Sequence, residues 1–193
     1  FKNGSFNFKS NEVKFQLDEE KKPVQILKKE RKDTHKLVEE FMLLANKLVA
    51  EQINEYEKTY NKKFTFVYRI HEDPDKVKLI ELQKYIKQFG YTININEQNL
   101  SSSINELMKE IKGKPEENSI EKFAIRSMSK ARYSTEKEKH FGLAFKNYSH
   151  FTSPIRRFPD VMVHRLLQYY INGVNQKINF IMIFFVNTVQ KWR

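Results

Sequence analysis

The sequence contains no cysteine, which excludes disulfide bonds and thiolate metal sites and fits a reducing, cytoplasmic setting. Long hydrophobic runs are nearly absent. The sole membrane candidate, Ile178 to Val186, is interrupted by Asn179 and covers nine residues, far short of the ~20 that a spanning helix needs. No membrane partner is expected. Signal peptide, lipidation motif and internal repeat are all lacking. An initiator methionine is missing too: the chain starts at Phe1 in a strand-like run and reads as a fragment. Ser153 precedes Pro154 and has no G-x-S-x-G context, which argues against a nucleophilic serine.

What is present is enough apolar material for a core. The chain has 193 residues, 39% of them apolar, so one compact domain or a large piece of a bigger one is expected. Its formal net charge of +11 and pI of about 9.6 favour a polyanionic partner through long-range attraction and counterion release. The lysines count for less here than the arginines, because enrichment in Lys, Asn and Ile also follows from AT-biased coding.

Periodicity gives an α+β order. Val13, Phe15 and Leu17, then Val24 and Ile26, alternate with polar residues on either side of the turn-like DEEKKP, which predicts a β-hairpin whose apolar face needs cover. Asp33 or Thr34 is an acceptable N-cap for a long helix to about Tyr60, with Leu37, Phe41, Leu44, Leu48 and Ile53 expected on one face. Phe64 to Ile70 has strand composition. Asp73-Pro74 opens a helix carrying Val77, Ile80, Leu82 and Ile86 that closes at Gly90. Two short helices follow, Ile104 to Ile111 and Ser119 to Ala131. The strand FGLAF and the irregular TSPIRRFP then precede a last helix, Asp160 to Ile171, stopped by Asn172-Gly173.

The densest chemistry lies in residues 140 to 165, HFGLAFKNYSHFTSPIRRFPDVMVHR. Arg156, Arg157 and Arg165 stand beside Tyr148, His150, Phe151, Phe158 and His164, with Pro154 and Pro159 interrupting regular backbone. Guanidinium groups grip phosphates and aromatic faces stack bases, so this mixture suits a single-stranded nucleic acid. Confinement between two prolines points to a fixed phosphate fork at Arg156 and Arg157 instead of two loose surface charges. Other clusters have simpler readings. Spacing alone makes His35 and Glu39 a solvated helix edge, HEDPD a helix start with an acidic first turn, and His140, His150 and His164 packing or phosphate-contact residues without zinc-motif spacing.

These residues also carry a family resemblance. HFGLAFKNYSHFTSPIRRFPDVMVHRLL resembles the signature of the ribonuclease II/R exoribonucleases, and THKLVEEFMLLAN, FVYRIHEDP and IRSMSKARYS resemble, in order, the long helix, strand with turn, and helix that precede it. The resemblance spans residues 1 to about 173, leaving 174–193 as a divergent apolar tail. It implies an RNB-type catalytic domain fragment, α+β with a mixed sheet and surrounding helices. The implied reaction is processive 3′ to 5′ hydrolysis of single-stranded RNA to nucleoside 5′-monophosphates, with magnesium-activated water as nucleophile. On the same basis Arg156 supports the scissile phosphate, Glu39 touches the terminal ribose, and Phe8, with Phe6 as fallback, stacks on the 3′ nucleotides. Tyr148, His150 and Arg165 sit at family-like positions and join the expected RNA-binding set, together with Arg157 of the proline-bounded fork.

Departures from the family pattern limit what is expected of the chain alone. The D-x-x-x-x-x-D-D magnesium motif is nowhere in the sequence, nor are the family's OB-type domains. Metal ligands are therefore expected to be absent from this chain, and the isolated fragment inactive. Single-stranded RNA and a separate N-terminal catalytic fragment are the expected partners. The alternatives are an inactive RNA-binding remnant and a structural domain whose charge is compositional drift.

Overall fold

The computed structural model describes residues 5–6, 13–28, 32–96 and 100–172. The expected α+β order is observed. Strands β1 (Val13–Leu17) and β2 (Pro23–Lys28) form an antiparallel hairpin that pairs Phe15 with Ile26, with a register shift at Gln16/Leu17 that sets Leu17 opposite Pro23. Asp18 closes the turn by accepting the Lys22 N–H at 2.8 Å. Helix α1 (Asp33–Tyr60) follows, then β3 (Tyr68–Ile70), α2 (Lys76–Lys87), α3 (Leu100–Glu110), α4 (Glu117–Ser127), β4 (Arg132–Ser134), a 3-10 turn (Phe141–Leu143) and α5 (Phe158–Ile171). β3 and β4 pair antiparallel; a parallel bridge from His71 to His140 and an antiparallel one from His140 to Phe145 extend this small sheet.

Two apolar clusters hold these elements. In the first, β3 lies between the second half of α1 and α5, with Ala50, Ile53, Phe66, Ile70, Val163 and Leu166 all nearly inaccessible to solvent. The second joins α2, α3 and α4 through Leu82, Ile86, Ile104, Ile111, Ile120 and Ala124. Phe141 belongs to this second cluster while its neighbour His140 bridges to β3's end, so the 3-10 turn ties the two clusters together.

Several local expectations are corrected. Helix α1 begins at Asp33, but its cap is Lys32, whose backbone N–H donates to His35 Nδ1 at 3.1 Å. The stripe Leu37, Phe41, Leu44 and Leu48 is not buried: these residues are 46 to 63% exposed, whereas Asn46, Ala50 and Ile53 are the buried ones. At ~100° per residue the two stripes lie on opposite sides of the helix, so α1 is apolar on both. The hairpin is likewise open, with Val24 and Ile26 at 68% and 66% exposure. In α2, Leu79 packs inward in place of Val77 and Ile80, because it shares one face with Leu82 and Ile86 at i, i+3, i+7 spacing, and the helix is capped by Asp75, whose carboxylate accepts the Val77 N–H at 2.9 Å.

Strand composition from Phe64 to Ile70 yields a ladder only over the last three residues. The carbonyls of Thr65 and Val67 are taken instead by the hydroxyls of Tyr170 (2.6 Å) and Ser149 (2.6 Å), so the segment is pinned by side chains rather than by a neighbouring strand. FGLAF forms no strand. His140 Nδ1 accepts the Leu143 N–H and Gly142 lies so close to His71 that the chain must coil there. A Cβ on Gly142 would sit 2.8 Å from His71 Nδ1.

Candidate nucleic-acid interface

The segment from Tyr148 to Arg157 connects the 3-10 turn to α5 and has almost no regular backbone hydrogen bonding of its own. Buried side chains supply what it lacks. Asn46, 3% exposed and in phase with Ala50 and Ile53 on α1, accepts the N–H groups of Phe151 (2.8 Å) and Thr152 (3.1 Å) on Oδ1 and donates through Nδ2 to the Tyr148 hydroxyl (2.9 Å). The Arg69 N–H donates to the Tyr148 carbonyl at 2.8 Å. His164 Nε2 meets the Phe151 carbonyl at 2.9 Å, and its ring stacks on Phe151 at 4.1 Å and 10°.

The SPIRRFPD turn is locked from within by Asp160, which is fully buried. Its Oδ2 accepts the Ser153 N–H and an Arg157 Nη2 hydrogen, both at 2.8 Å. The Ser153 carbonyl accepts the Arg156 and Arg157 N–H groups, and Pro159 in the first turn starts α5. With both ends fixed, the apex points outward: Ile155 is fully exposed, and Arg156 is exposed with only a 3.4 Å contact from Nη2 to Ser153 Oγ.

A second basic group approaches the same segment from β3 and β4. The Arg69 guanidinium lies over the Tyr133 ring, 4.6 Å from its centroid, and the Tyr133 hydroxyl is hydrogen-bonded to His150 Nδ1 at 2.8 Å. Burial, followed by the Arg157 charge, holds His150 down at about 4, so it is neutral at pH 7 and can accept that hydrogen bond. Tyr133 is pushed up, chiefly by burial, and stays protonated.

The expected site residues thus separate. Arg156 is exposed at the apex of the turn, and Arg165 is exposed on α5. Glu39 is exposed on α1, one turn beyond His35, whose Nδ1 is occupied by the helix cap. Arg157 is corrected: it is ion-paired to Asp160 and braces the turn, so the two-arginine fork reduces to one free arm. Tyr148 is corrected as well, since at 3% exposure its ring is an internal strut and not an open stacking face. His150 is half-buried and held by Tyr133. Phe8 lies outside the described residues. Its fallback Phe6 packs on Phe141 with centroids 5.2 Å apart.

Asn46, Asp160, Tyr133 and Arg69 were not singled out from sequence. Asn46 has a legible signal, a polar residue at i, i+4, i+7 spacing with Ala50 and Ile53. Asp160 stands directly after Pro159 at a helix start, where an acid is favoured anyway, and that masks its second role. Arg69 and Tyr133 have none; only the pairing of β3 with β4 makes them neighbours.

Among the described residues the acidic groups do not form a magnesium site. Glu72 pairs with Arg132 at 2.7 Å, Asp73 with Lys139 at 2.8 Å, Asp75 caps α2 and Asp160 braces the turn. Among the described residues no three His, Asp or Glu side chains converge as ligands. HEDPD accordingly supplies a helix cap, though the acids beside it form ion pairs rather than an acidic first turn. An open groove of about 1150 Å³ between α1 and residues 137–147 is lined by both signs of charge, with Lys47 paired to Glu51 and Lys58 to Glu55 along α1 and Lys137 paired to Glu57 across it. No described helix is long and apolar enough to cross a membrane.

The RNB domain family matches residues 1–173. The chain belongs to this family. It is 39% identical to ribonuclease R of Thermotoga maritima over 165 residues, 86% of the chain and 22% of the relative, and 38% identical to ribonuclease R 1 of Lactococcus lactis over 194 residues, 98% of the chain and 21% of the relative. The RNB chain therefore spans about a fifth of these curated relatives. The Mycoplasma genitalium ribonuclease R solved in complex with ribose-methylated single-stranded RNA superposes with a TM-score of 0.83 at 26% identity, covering 98% of this chain and 29% of that one. The α+β fold and the resemblance to ribonuclease R stand on these matches.

Proposed function

We propose that this chain is the RNA-gripping part of a ribonuclease R-type catalytic domain, residues 1–173, followed by a divergent tail at 174–193. The reaction of the complete domain is 3′ to 5′ hydrolysis of single-stranded RNA, proceeding processively to nucleoside 5′-monophosphates in the cytoplasm. One observation carries the reading: Arg156 stands alone at the apex of a turn that Asp160 locks from below. A guanidinium delivered on a preorganised turn meets a phosphate without first losing backbone freedom. Arg156 is thus assigned to the scissile phosphate, Glu39 to the terminal ribose 2′-OH, Arg165 to the flanking backbone and Phe8 to stacking. Arg157 and Tyr148 act through the turn they support, and His150 through Tyr133.

Magnesium does not fit the described residues, so its ligands belong to another part of the enzyme and no step is routed through it here. That part is the second partner. Opposed apolar stripes on α1 support a helix sandwiched between two layers, with the layer over Leu37, Phe41, Leu44 and Leu48 assigned to the separate N-terminal catalytic fragment, and the chain itself spans only 22% of the Thermotoga maritima relative. The chain alone is accordingly inactive. An RNA-binding remnant without catalysis is the second reading, favoured by the absence of a converging acidic cluster among the described residues.

The test is degradation of 5′-labelled single-stranded RNA with magnesium, by the chain alone and mixed with a fragment bearing the aspartate motif. The expected result is a 3′ to 5′ ladder from the mixture only, abolished by Arg156→Ala with thermal stability unchanged. RNA left intact by the mixture favours the remnant. Degradation by the rigorously purified chain alone defeats both readings.

A further inference from the structure

We infer that Arg69 is a second phosphate-binding group, its guanidinium held flat against Tyr133 so that its open edge receives the backbone of the RNA that Arg156 engages. This rests on the RNA-binding reading above.

The argument begins with charge balance. Arg132 and Arg157, the other arginines held against the core around this sheet and turn, have carboxylate partners: Arg132 has Glu72 at 2.7 Å and Glu138 at 3.8 Å, and Arg157 has Asp160 at 2.8 Å. Arg69 has none. Among the described residues its side chain contacts the Tyr133 ring and makes no hydrogen bond or ion pair, although it is half-buried. Burial and the nearby Arg157 charge both disfavour its cationic form. A partly desolvated guanidinium without a counterion is costly, and a second cation beside it adds to the cost. No counterion for it is found among the described residues, which leaves the position open to an external anion.

The shape of the site names that anion. Stacking on an aromatic face satisfies the flat side of a guanidinium and leaves its N–H edge free, the edge that matches phosphate bidentately. None of its nitrogens is sealed from solvent, so this edge is reachable. Its position is also fixed relative to the turn: the Arg69 N–H is bonded to the Tyr148 carbonyl, and Tyr133 to His150, two residues of the same segment that presents Arg156. Tyr133 lies in the electrostatic field of Arg69, Arg156 and Arg157 together. Asp160 neutralises only Arg157. The patch is thus a doubly cationic surface built from β3 and the turn, suited to a polyanion rather than to a single carboxylate.

The test compares the 193-residue chain with Arg69→Met, which keeps the apolar stem on Tyr133 and deletes the charge, and with Arg69→Lys. Binding of labelled single-stranded RNA is measured from low to high salt, and thermal unfolding of each protein alongside. Arg69→Met is expected to bind about tenfold more weakly near 0.1 M salt, with the slope of log affinity against log salt reduced by about 0.7. Its unfolding temperature should stay level or rise, because a desolvated charge has been removed. Arg69→Lys should fall between. Unchanged affinity and slope in Arg69→Met overturn the inference, as does a lowered unfolding temperature with affinity intact, which marks a structural arginine. If the wild-type chain binds no RNA, the RNA reading fails and inorganic phosphate decides the rest. A saturable shift of the Arg69 Nε–H resonance upholds an anion site there, and no shift overturns it.

Discussion

Asn46→Ala should do more damage than any exposed substitution in this chain. The amide side chain serves three groups that have no alternative partner among the described residues: the N–H of Phe151 at 2.8 Å, the N–H of Thr152 at 3.1 Å and the Tyr148 hydroxyl at 2.9 Å. Each orphaned buried polar group costs about 1–3 kcal/mol, while a hydrogen bond contributes only about 1 kcal/mol net when both partners are satisfied. Allowing one group to recover water at the half-buried Thr152, the loss is about 3–4 kcal/mol, a large share of the ~5–15 kcal/mol that stabilises an ordinary domain. Urea denaturation gives the magnitude, and amide hydrogen exchange gives the place: the Phe151 and Thr152 amides should be protected in the wild type and fast in the variant. RNA affinity should fall with them, because the segment that carries Arg156 is no longer anchored to α1. Asn46→Asp keeps both acceptor bonds and should retain amide protection that Asn46→Ala loses. A stability loss under 0.5 kcal/mol with Phe151 and Thr152 still protected would refute the reasoning, since it would mean the segment is held by something other than this amide.

Other outcomes follow from the same geometry. Asp160→Ala strands the Ser153 N–H and a largely buried Arg157, so a loss of about 3 kcal/mol in urea denaturation is expected, partly recovered in the Asp160→Ala, Arg157→Met pair, where no buried charge remains. Gly142→Ala forces a Cβ to within 2.8 Å of His71 Nδ1 and disturbs the hydrogen bond that this nitrogen accepts from the Gly142 N–H; a loss of about 1–3 kcal/mol is expected, measured by thermal unfolding. His140 and His150 are held near 3 and 4, chiefly by burial, against about 6.5 in an unfolded chain. Below about pH 6.5 the unfolded chain takes up protons that the folded one refuses, so stability is full above that pH and falls as pH drops towards 4, by up to about 1.4 kcal/mol per unit for each histidine. Urea midpoints at pH 7 and pH 5 should show the drop, and His140→Asn, which can still accept the Leu143 N–H, should make it shallower.

What was legible in the sequence is what depends on local chemistry. The long helix from Asp33 to Tyr60 and the stops after α2 and α5 follow from residue type and short spacing, whereas the caps of α2 and α5 fall at Asp75 and Arg157 instead of the expected Asp73 and Asp160. The collinear motifs likewise pointed to the family that the matches establish. Tertiary structure decided which of two apolar stripes on α1 is covered. Both satisfy the same periodicity, and only the arrival of β3 and α5 on the Asn46 side distinguishes them. It also turned two expected ligand contacts into supports. Arg157 meets Asp160 one helical turn away, and Tyr148 meets Asn46 across 102 residues of sequence. Arg69 has an ordinary place in a strand-like sequence; among the described residues β4 brings Tyr133, and no carboxylate, to its side. The physical reason is common to all three cases. Local sequence fixes what a side chain can do, but its free energy in the fold depends on which partner long-range packing delivers and whether water is still there to replace it.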